Sequence, residues 1–252
     1  MNTTSLNDID KKHRKFIKHR FSTPKNLVLL KRISKYNTGK IPWTQWLFKH
    51  LSLTSKMKIL EIGCGNGLLW SENADGLQFD MNIILTDPSI GMVRSAREVL
   101  NMIHQFKFSM TYAENLSFAD GIFDTVIANH VLQIVPNIKK AIAEANRVLK
   151  PHGSFIFSLM SNDHYKELAD VLMEFNPMYV YNLIRRFSLE SEKKELYMFF
   201  SHYDEHVYTS RLEIPDPALI TSVALSIFNG IKFPDLRPHA AEFEDHVKSK
   251  MR

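Results

Sequence analysis

The 252-residue sequence predicts an α/β fold: a mostly parallel, twisted sheet flanked by helices, with a helical segment before it and a helical insertion after it as a cap. Three observations predict this. Between residues 57 and 158, short apolar runs rich in β-branched residues alternate with stretches of helical period. The fourth run, Thr125-Val126-Ile127-Ala128, is apolar at nearly every position, as a strand covered on both faces must be. The first run leads directly into Gly63, Gly65 and Gly67 and then into a helix, a strand–turn–helix unit of the kind that cradles a ligand at its turn.

Composition narrows the class. A hydrophobic share of 44% and a charged share of 23% belong to an ordinary globular chain, and 252 residues bury one sizeable core with an appended cap. The single cysteine, Cys64, excludes an internal disulfide and any multi-cysteine zinc site. No apolar run has the length of a membrane span, and the polar start Met1-Asn2-Thr3-Thr4 is unlike a signal peptide, so a cytoplasmic enzyme is expected. Net charge is +5, unevenly spread: residues 1–58 hold 14 Lys+Arg against 2 Asp+Glu, and the rest 18 against 25. Such a basic arm either meets nucleic acid or another anionic surface, or simply lines the solvated faces of helices.

Taken in order, residues 5–22 and 24–36 read as helices, the second with Pro24 near its first turn and Leu27, Leu30 and Ile33 on one face. Tyr36-Asn37-Thr38-Gly39-Lys40 is a turn, and Pro42 opens a third helix with Trp43, Trp46, Leu47 and Leu51 at helical spacing. Met57–Ile62 is the first strand and Asn82–Thr86 the second, ending in Asp87-Pro88-Ser89. Ser89 caps a helix whose apolar positions are Met92, Val93, Ala96, Val99, Leu100 and Ile103. Phe106–Met110 is the third strand, and the fourth runs into Asn129-His130. Asn137 caps the next helix, which Lys150-Pro151-His152-Gly153 ends before a fifth strand. Residues 162–195 read as helical, Leu196–Phe200 and His206–Leu212 as strands, Asp216 as the cap of a helix to Ile227, and residues 238–249 as a last helix.

The glycine spacing carries the chemistry. Gly63-x-Gly65-x-Gly67 lacks the interval that seats a dinucleotide pyrophosphate on a helix N-terminus, and no Gly-Lys-Ser/Thr of a P-loop follows. Glu61 stands just before the turn, where it repels phosphate and attracts a cationic head. Asp87 lies twenty residues past Gly67, where α/β nucleotide-binding domains place an acid on ribose hydroxyls. In Ile59-Leu60-Glu61-Ile62-Gly63-Cys64-Gly65-Asn66-Gly67 the sequence resembles the first motif of class I S-adenosylmethionine-dependent methyltransferases, of the small-molecule "type 11" group.

That resemblance spans residues 57–158 and implies a Rossmann-like methyltransferase fold. It divides the chain into a helical N-terminal segment (1–55) covering the cofactor site, a cofactor-binding core (56–160), and a helical cap with closing strands and C-terminal helices (161–252). It implies S-adenosylmethionine as cofactor, S-adenosylhomocysteine as product, and no metal. Glu61, Gly63, Cys64, Gly65, Asn66, Gly67, Asp87 and Pro88 would hold the amino-acid and ribose parts, and Tyr36 would lie over the methionine end. Ile90 or Met92 would meet the adenine ring, Met92 serving core packing equally well. Ala113 and Glu114 match the adenine loop, although Tyr112 stands where relatives carry an acid, so Glu114 or a backbone carbonyl would accept from the adenine amine. Asn129 at the strand-four end would face the donor sulfur and the acceptor. His130, with an unperturbed pKa near neutrality, suits a general base or a structural role.

The expected reaction is methyl transfer to an O, N or C atom of a small-molecule acceptor. The soft Met- and aromatic-rich stretch 173–183 suits a compact, partly apolar ligand. No Asp/Asn-Pro-Pro-aromatic sequence or Pro-Cys nucleophile for a nucleobase is present. RNA methylation through the basic arm and non-catalytic cofactor binding are the alternatives; oligomeric state is not legible. In relatives a further strand of the closing hairpin follows the penultimate helix; here the chain ends at Lys248–Arg252, so the earlier pair supplies both strands or the sheet is incomplete.

Overall fold

Parallel strands must be joined by crossovers, and the alternation of strand and helix periods along residues 58–158 provides them. The computed structural model describes residues 25–77, 80–161, 163–179, 196–228 and 236–251. Its sheet contains β1 (Lys58–Ile62), β2 (Asn82–Asp87), β3 (Phe106–Met110), β4 (Phe123–Asn129) and β5 (Leu149–Ser158) in the order β3-β2-β1-β4-β5. Every pairing is parallel. The order reverses between β1 and β4, and a crevice opens at the carboxyl ends of strands at such a point.

The period of two along β1 splits the core between the faces. Leu60 and Ile62 join Val126 and Ala128 of β4 under α5 (Ile138–Val148), which buries Ile138, Ala141, Ile142, Ala145 and Val148. Ile59 faces the other way, with Ile83, Leu85, Ile127, Trp70 and Leu100. Each fully buried residue of this kind contributes about 1.5–3 kcal/mol by leaving water. The capping residues behave as their chemistry requires. Ser89 Oγ accepts the Met92 N–H at 3.3 Å to start α4 (Ile90–Val99), and Asn137 Oδ1 accepts the Lys140 N–H at 2.9 Å to start α5. The helix after the glycine turn, α3 (Leu68–Ser71), is a single turn.

Helices α1 (Lys25–Ser34) and α2 (Trp43–Lys49) precede the sheet, and α6 (Lys166–Phe175), α7 (Pro217–Phe228) and α8 (Ala240–Lys250) follow it. Asp216 Oδ1 accepts from the backbone of Ala218 and Leu219 at the start of α7. Leu172 of α6, Ala224 of α7 and Phe243 of α8 form a second core, and Ile33 of α1 packs on Leu219 and Val223 of α7. The N-terminal segment is thus fastened to the C-terminal helices. The helix expected over residues 5–22 lies outside the described residues, as do residues 180–195 of the insertion.

The two expected late strands are not strands. Leu196 and Tyr197 form part of a helical turn, and residues 201–210 carry no regular structure. A strand there would have no apolar face to bury, because all but Tyr208 among residues 201–210 are exposed. Its backbone instead pairs locally with the turn after α1: Thr38 N–H donates to Arg211 O at 2.9 Å and Glu213 N–H to Tyr36 O at 3.0 Å, with a single bridge between Asn37 and Leu212. Among the described residues the sheet therefore has five strands and no closing hairpin. None of the described helices is long and apolar enough to cross a membrane.

Candidate active site

The turn after β1 follows from its glycines. Gly63 has φ +69°, and a Cβ there would stand 2.5 Å from Val131 Cγ2, so an L side chain meets both strain and a clash. Gly67, at φ +76°, starts α3 where a Cβ would press on Leu100 Cδ1 at 2.9 Å. The turn is tied to β2, since Cys64 N–H donates to Thr86 O at 2.9 Å and Thr86 Oγ1 to Glu61 O at 2.8 Å.

Two buried carboxylates flank it. Glu61 Oε2 accepts from Trp70 Nε1 at 2.6 Å. Burial pushes its pKa up to about 7, against the opposing pull of the Trp70 bond and with help from the Asp87 charge. Asp87 accepts from Ser89 N–H at 2.8 Å on Oδ1 and from Gly65 N–H at 3.0 Å on Oδ2. Burial raises it to about 6, the two N–H donors holding it lower than burial alone would. Burial and the same two acids push the Cys64 thiol well above its ordinary value, so it stays protonated and inert.

The loop after β3 is fixed from α5. Leu116 N–H donates to Glu144 Oε2 at 2.7 Å, while the Arg147 guanidinium donates to Leu116 O (2.9 Å), Phe118 O (2.8 Å), Asp120 (2.6 Å) and Glu144 (2.7 Å). Arg147 holds the Glu144 carboxyl below its ordinary pKa. Ala113 and Glu114 are buried by this arrangement, whereas Tyr112 is 42% exposed.

At the end of β4, Asn129 Oδ1 accepts from Ser158 Oγ at 2.8 Å and from Trp43 Nε1 at 3.3 Å. His130 has φ +57°; its backbone N–H donates to Ser158 Oγ at 2.9 Å and its Nδ1 lies 3.3 Å from that oxygen. With the Ser158 hydrogen directed to Asn129, the contact with Nδ1 is satisfied by a proton on Nδ1, which leaves the Nε2 lone pair for an acceptor role. Burial, and secondarily the neighbouring His164, push His130 down to about 4, so it is neutral at physiological pH.

One cavity of about 2830 Å³ runs past the turn after β1, the two carboxylates, Ala113–Glu114 and the end of β4. Pockets for single small ligands are roughly 300–1,000 Å³, so it has room for two ligands together. Its lining brings together Glu61, Gly63, Cys64, Gly65, Asn66, Asp87, Pro88, Met92, Ala113, Glu114, Asn129 and His130. Gly67 and Tyr36 are not in it. Gly67 lies beneath the turn against α4, and Tyr36 packs with Ile33, Leu212 and Ile214 in the helical cap. Of the two residues considered for the adenine, Met92 lines the cavity and is 1% exposed; Ile90 is 51% exposed and does not line it. The aromatic residue that the N-terminal segment brings to the end of β4 is Trp43, its ring stacked on His130 at 5.0 Å between centroids. Sequence reasoning read Trp43 and Trp46 only as one face of a helix and passed over Ser158 and Tyr208. Two of the chain's three tryptophans within four residues was the available signal. Among the described residues no group of three or more His, Cys, Asp and Glu side chains is placed to hold a metal ion.

Residues 60–157 match the family model described as a methyltransferase domain. A malonyl-[acyl-carrier protein] O-methyltransferase of Geobacter sulfurreducens is 35% identical over 111 residues, 44% of this chain and 41% of that protein. A ubiquinone/menaquinone biosynthesis C-methyltransferase of Rickettsia bellii is 33% identical over 132 residues, 50% of this chain and 52% of that protein. The chain thus spans about half the length of these relatives. Among solved structures, an S-adenosylmethionine-dependent methyltransferase of Thermotoga maritima superposes with a TM-score of 0.51 over 72% of this chain and 79% of its own, at 19% identity, a likeness of fold. Over residues 60–157, then, the chain is similar to methyltransferase domains, and its fold is the one those enzymes use.

Proposed function

We propose that the protein transfers a methyl group from S-adenosylmethionine to an O, N or C atom of a small-molecule acceptor. The carrying observation is that the Glu61 and Asp87 carboxylates and the Asn129–His130 strand end open on one cavity. These residues fit the cofactor. Asp87 keeps lone pairs free for ribose hydroxyls after its two backbone bonds, and the buried Glu61 favours a cationic head over a phosphate. Glycines at left-handed φ let the backbone approach without a Cβ. When bound, the cofactor supplies a methyl group made electrophilic by its sulfonium.

The chain's part is alignment and exclusion of water. Asn129, fixed by Trp43 and Ser158, holds the strand end rigid. His130 Nε2 accepts a hydrogen bond from the acceptor and can take its proton, its low basicity making it a weak base that needs an acidic O–H or N–H. The printed names of the relatives, one acting on malonyl-acyl carrier protein and one in quinone biosynthesis, support an acceptor other than RNA. Labelled S-adenosylmethionine with a broad acceptor panel tests the reading. Label appearing on a small molecule is expected. Label appearing on bulk RNA instead, lost when residues 1–22 are deleted, would replace the acceptor class; tight binding without transfer to any acceptor would favour a binding module.

A further inference from the structure

Five rings continue one another along the cavity wall from the end of β4: His130, Trp43, Trp46, His50 and His206, with centroid separations of 5.0, 5.4, 4.2 and 4.5 Å. Tyr208 lies across both tryptophans, at 5.3 Å from Trp43 and 5.5 Å from Trp46. All six line the cavity. The order has a local cause. Trp43 and Trp46 are three apart on α2, so they share a face, and His50 is clamped behind them through its Nδ1, 2.7 Å from Trp46 O. Tyr208 arrives from a distant part of the chain, held because its hydroxyl donates to Ile41 O at 2.8 Å and accepts from Asn37 Nδ2 at 3.0 Å.

We infer that the wall formed by Trp43, Trp46 and Tyr208 is the acceptor subsite, and that it takes a planar aromatic ring bearing an oxygen substituent. This deepens the proposed function and rests on it only for calling the bound ring the acceptor. Trp43 is stacked on Trp46 at 25° between planes and on His130 at 28°. Stacked in series, the rings cover one another's faces and turn edges to the cavity, and an aromatic ring packs on such edges in T-shaped contact. A cage for an organic cation needs ring faces converging on one point, as in methyl-ammonium sites, and ring edges, the positive part of the quadrupole, do not attract a cation. The oxygen follows from the donors. The Trp43 N–H is taken by Asn129, but the Trp46 indole N–H has no partner among the described residues and is not sealed from solvent. A ring oxygen on the wall can accept from it.

Calorimetric titration of the full-length protein with 2-naphthol, decahydro-2-naphthol and tetramethylammonium tests this. The aromatic probe is expected to bind at least about tenfold more tightly than its saturated counterpart, since each aromatic pair, edge-to-face included, adds to area burial. Trp46→Leu should bring the ratio to about one. Trp46→Phe, which keeps an aromatic ring and loses the donor, should keep the ratio and weaken 2-naphthol by about fivefold. Equal binding of the saturated probe to the wild type, tetramethylammonium binding as tightly as 2-naphthol, or an unchanged ratio in a folded Trp46→Leu would each overturn the inference. The wild-type ratio decides the matter even where Trp46→Leu does not fold. S-Adenosylhomocysteine titrated in parallel separates the two readings. Its binding without any ring preference overturns the subsite alone, whereas ring preference without its binding overturns the cofactor reading alone.

Discussion

The Trp70 indole N–H donates to the Glu61 carboxylate at 2.6 Å, with both side chains buried beneath the glycine turn. A carboxylate in that position is costly when charged, and its one strong donor compensates only in part. The folded pKa of about 7 lies above the ordinary 4.5. Its share of stability is therefore full below pH 4.5 and is lost as pH rises through about 7. Glu61→Gln keeps an acceptor for Trp70 and removes the charge. Urea unfolding should show the variant matching wild type near pH 4 and exceeding it above pH 7 by on the order of 1–3 kcal/mol. An unaltered pH profile would contradict this account.

Cofactor affinity should depend on the same protons. The Asp87 pKa lies near 6 and that of Glu61 near 7, and the proposed function has both serve the ligand as anions. Binding then lowers both pKa values and releases protons, so affinity for S-adenosylhomocysteine rises with pH from 5 to 7.5. Calorimetry at pH 6 in buffers of different ionisation enthalpy reads the released protons directly. Asp87→Ala should weaken binding by about 1.5–3 kcal/mol and remove part of that release; undiminished affinity would count against ribose recognition by Asp87.

Arg147 does not line the cavity, yet it ties the loop carrying Ala113 and Glu114 to α5 through two backbone carbonyls and Glu144. Arg147→Ala is expected to reduce S-adenosylhomocysteine affinity by about 1–3 kcal/mol and to shrink the preference over S-inosylhomocysteine, which lacks the adenine amine. A merely destabilised protein would bind both ligands less well in equal measure.

Gly63→Ala places a methyl group 2.5 Å from Val131 Cγ2 at a left-handed φ. Strain and overpacking together should cost roughly 2–4 kcal/mol, read as a lower urea midpoint. Adding Val131→Ala should restore only the overpacking part, because φ is unchanged; full restoration would show that the conformation itself costs little.

The sequence by itself determined the elements whose causes are local. Caps at Ser89 and Asn137, the period of two in β1 and the interval between three glycines each depend on residues a few positions apart. Spacing along the chain reports such interactions faithfully, and the carboxylate at the end of β2 follows because a strand of known length brings Asp87 beside the turn. Tertiary structure alone decided which aromatic ring reaches the end of β4. Tyr36 and Trp43 are both aromatic with one polar tip and stand seven residues apart, but Ile33 and Leu219 draw Tyr36 into the helical cap while Asn129, 86 residues away, holds Trp43. The same holds for Tyr208, positioned by Asn37 at a separation of 171 residues, and for the stretch after Leu196, where only the absence of an apolar face to bury distinguishes a strap from a strand. Contacts over such separations depend on how packed helices orient side chains, and no periodicity in the chain encodes that.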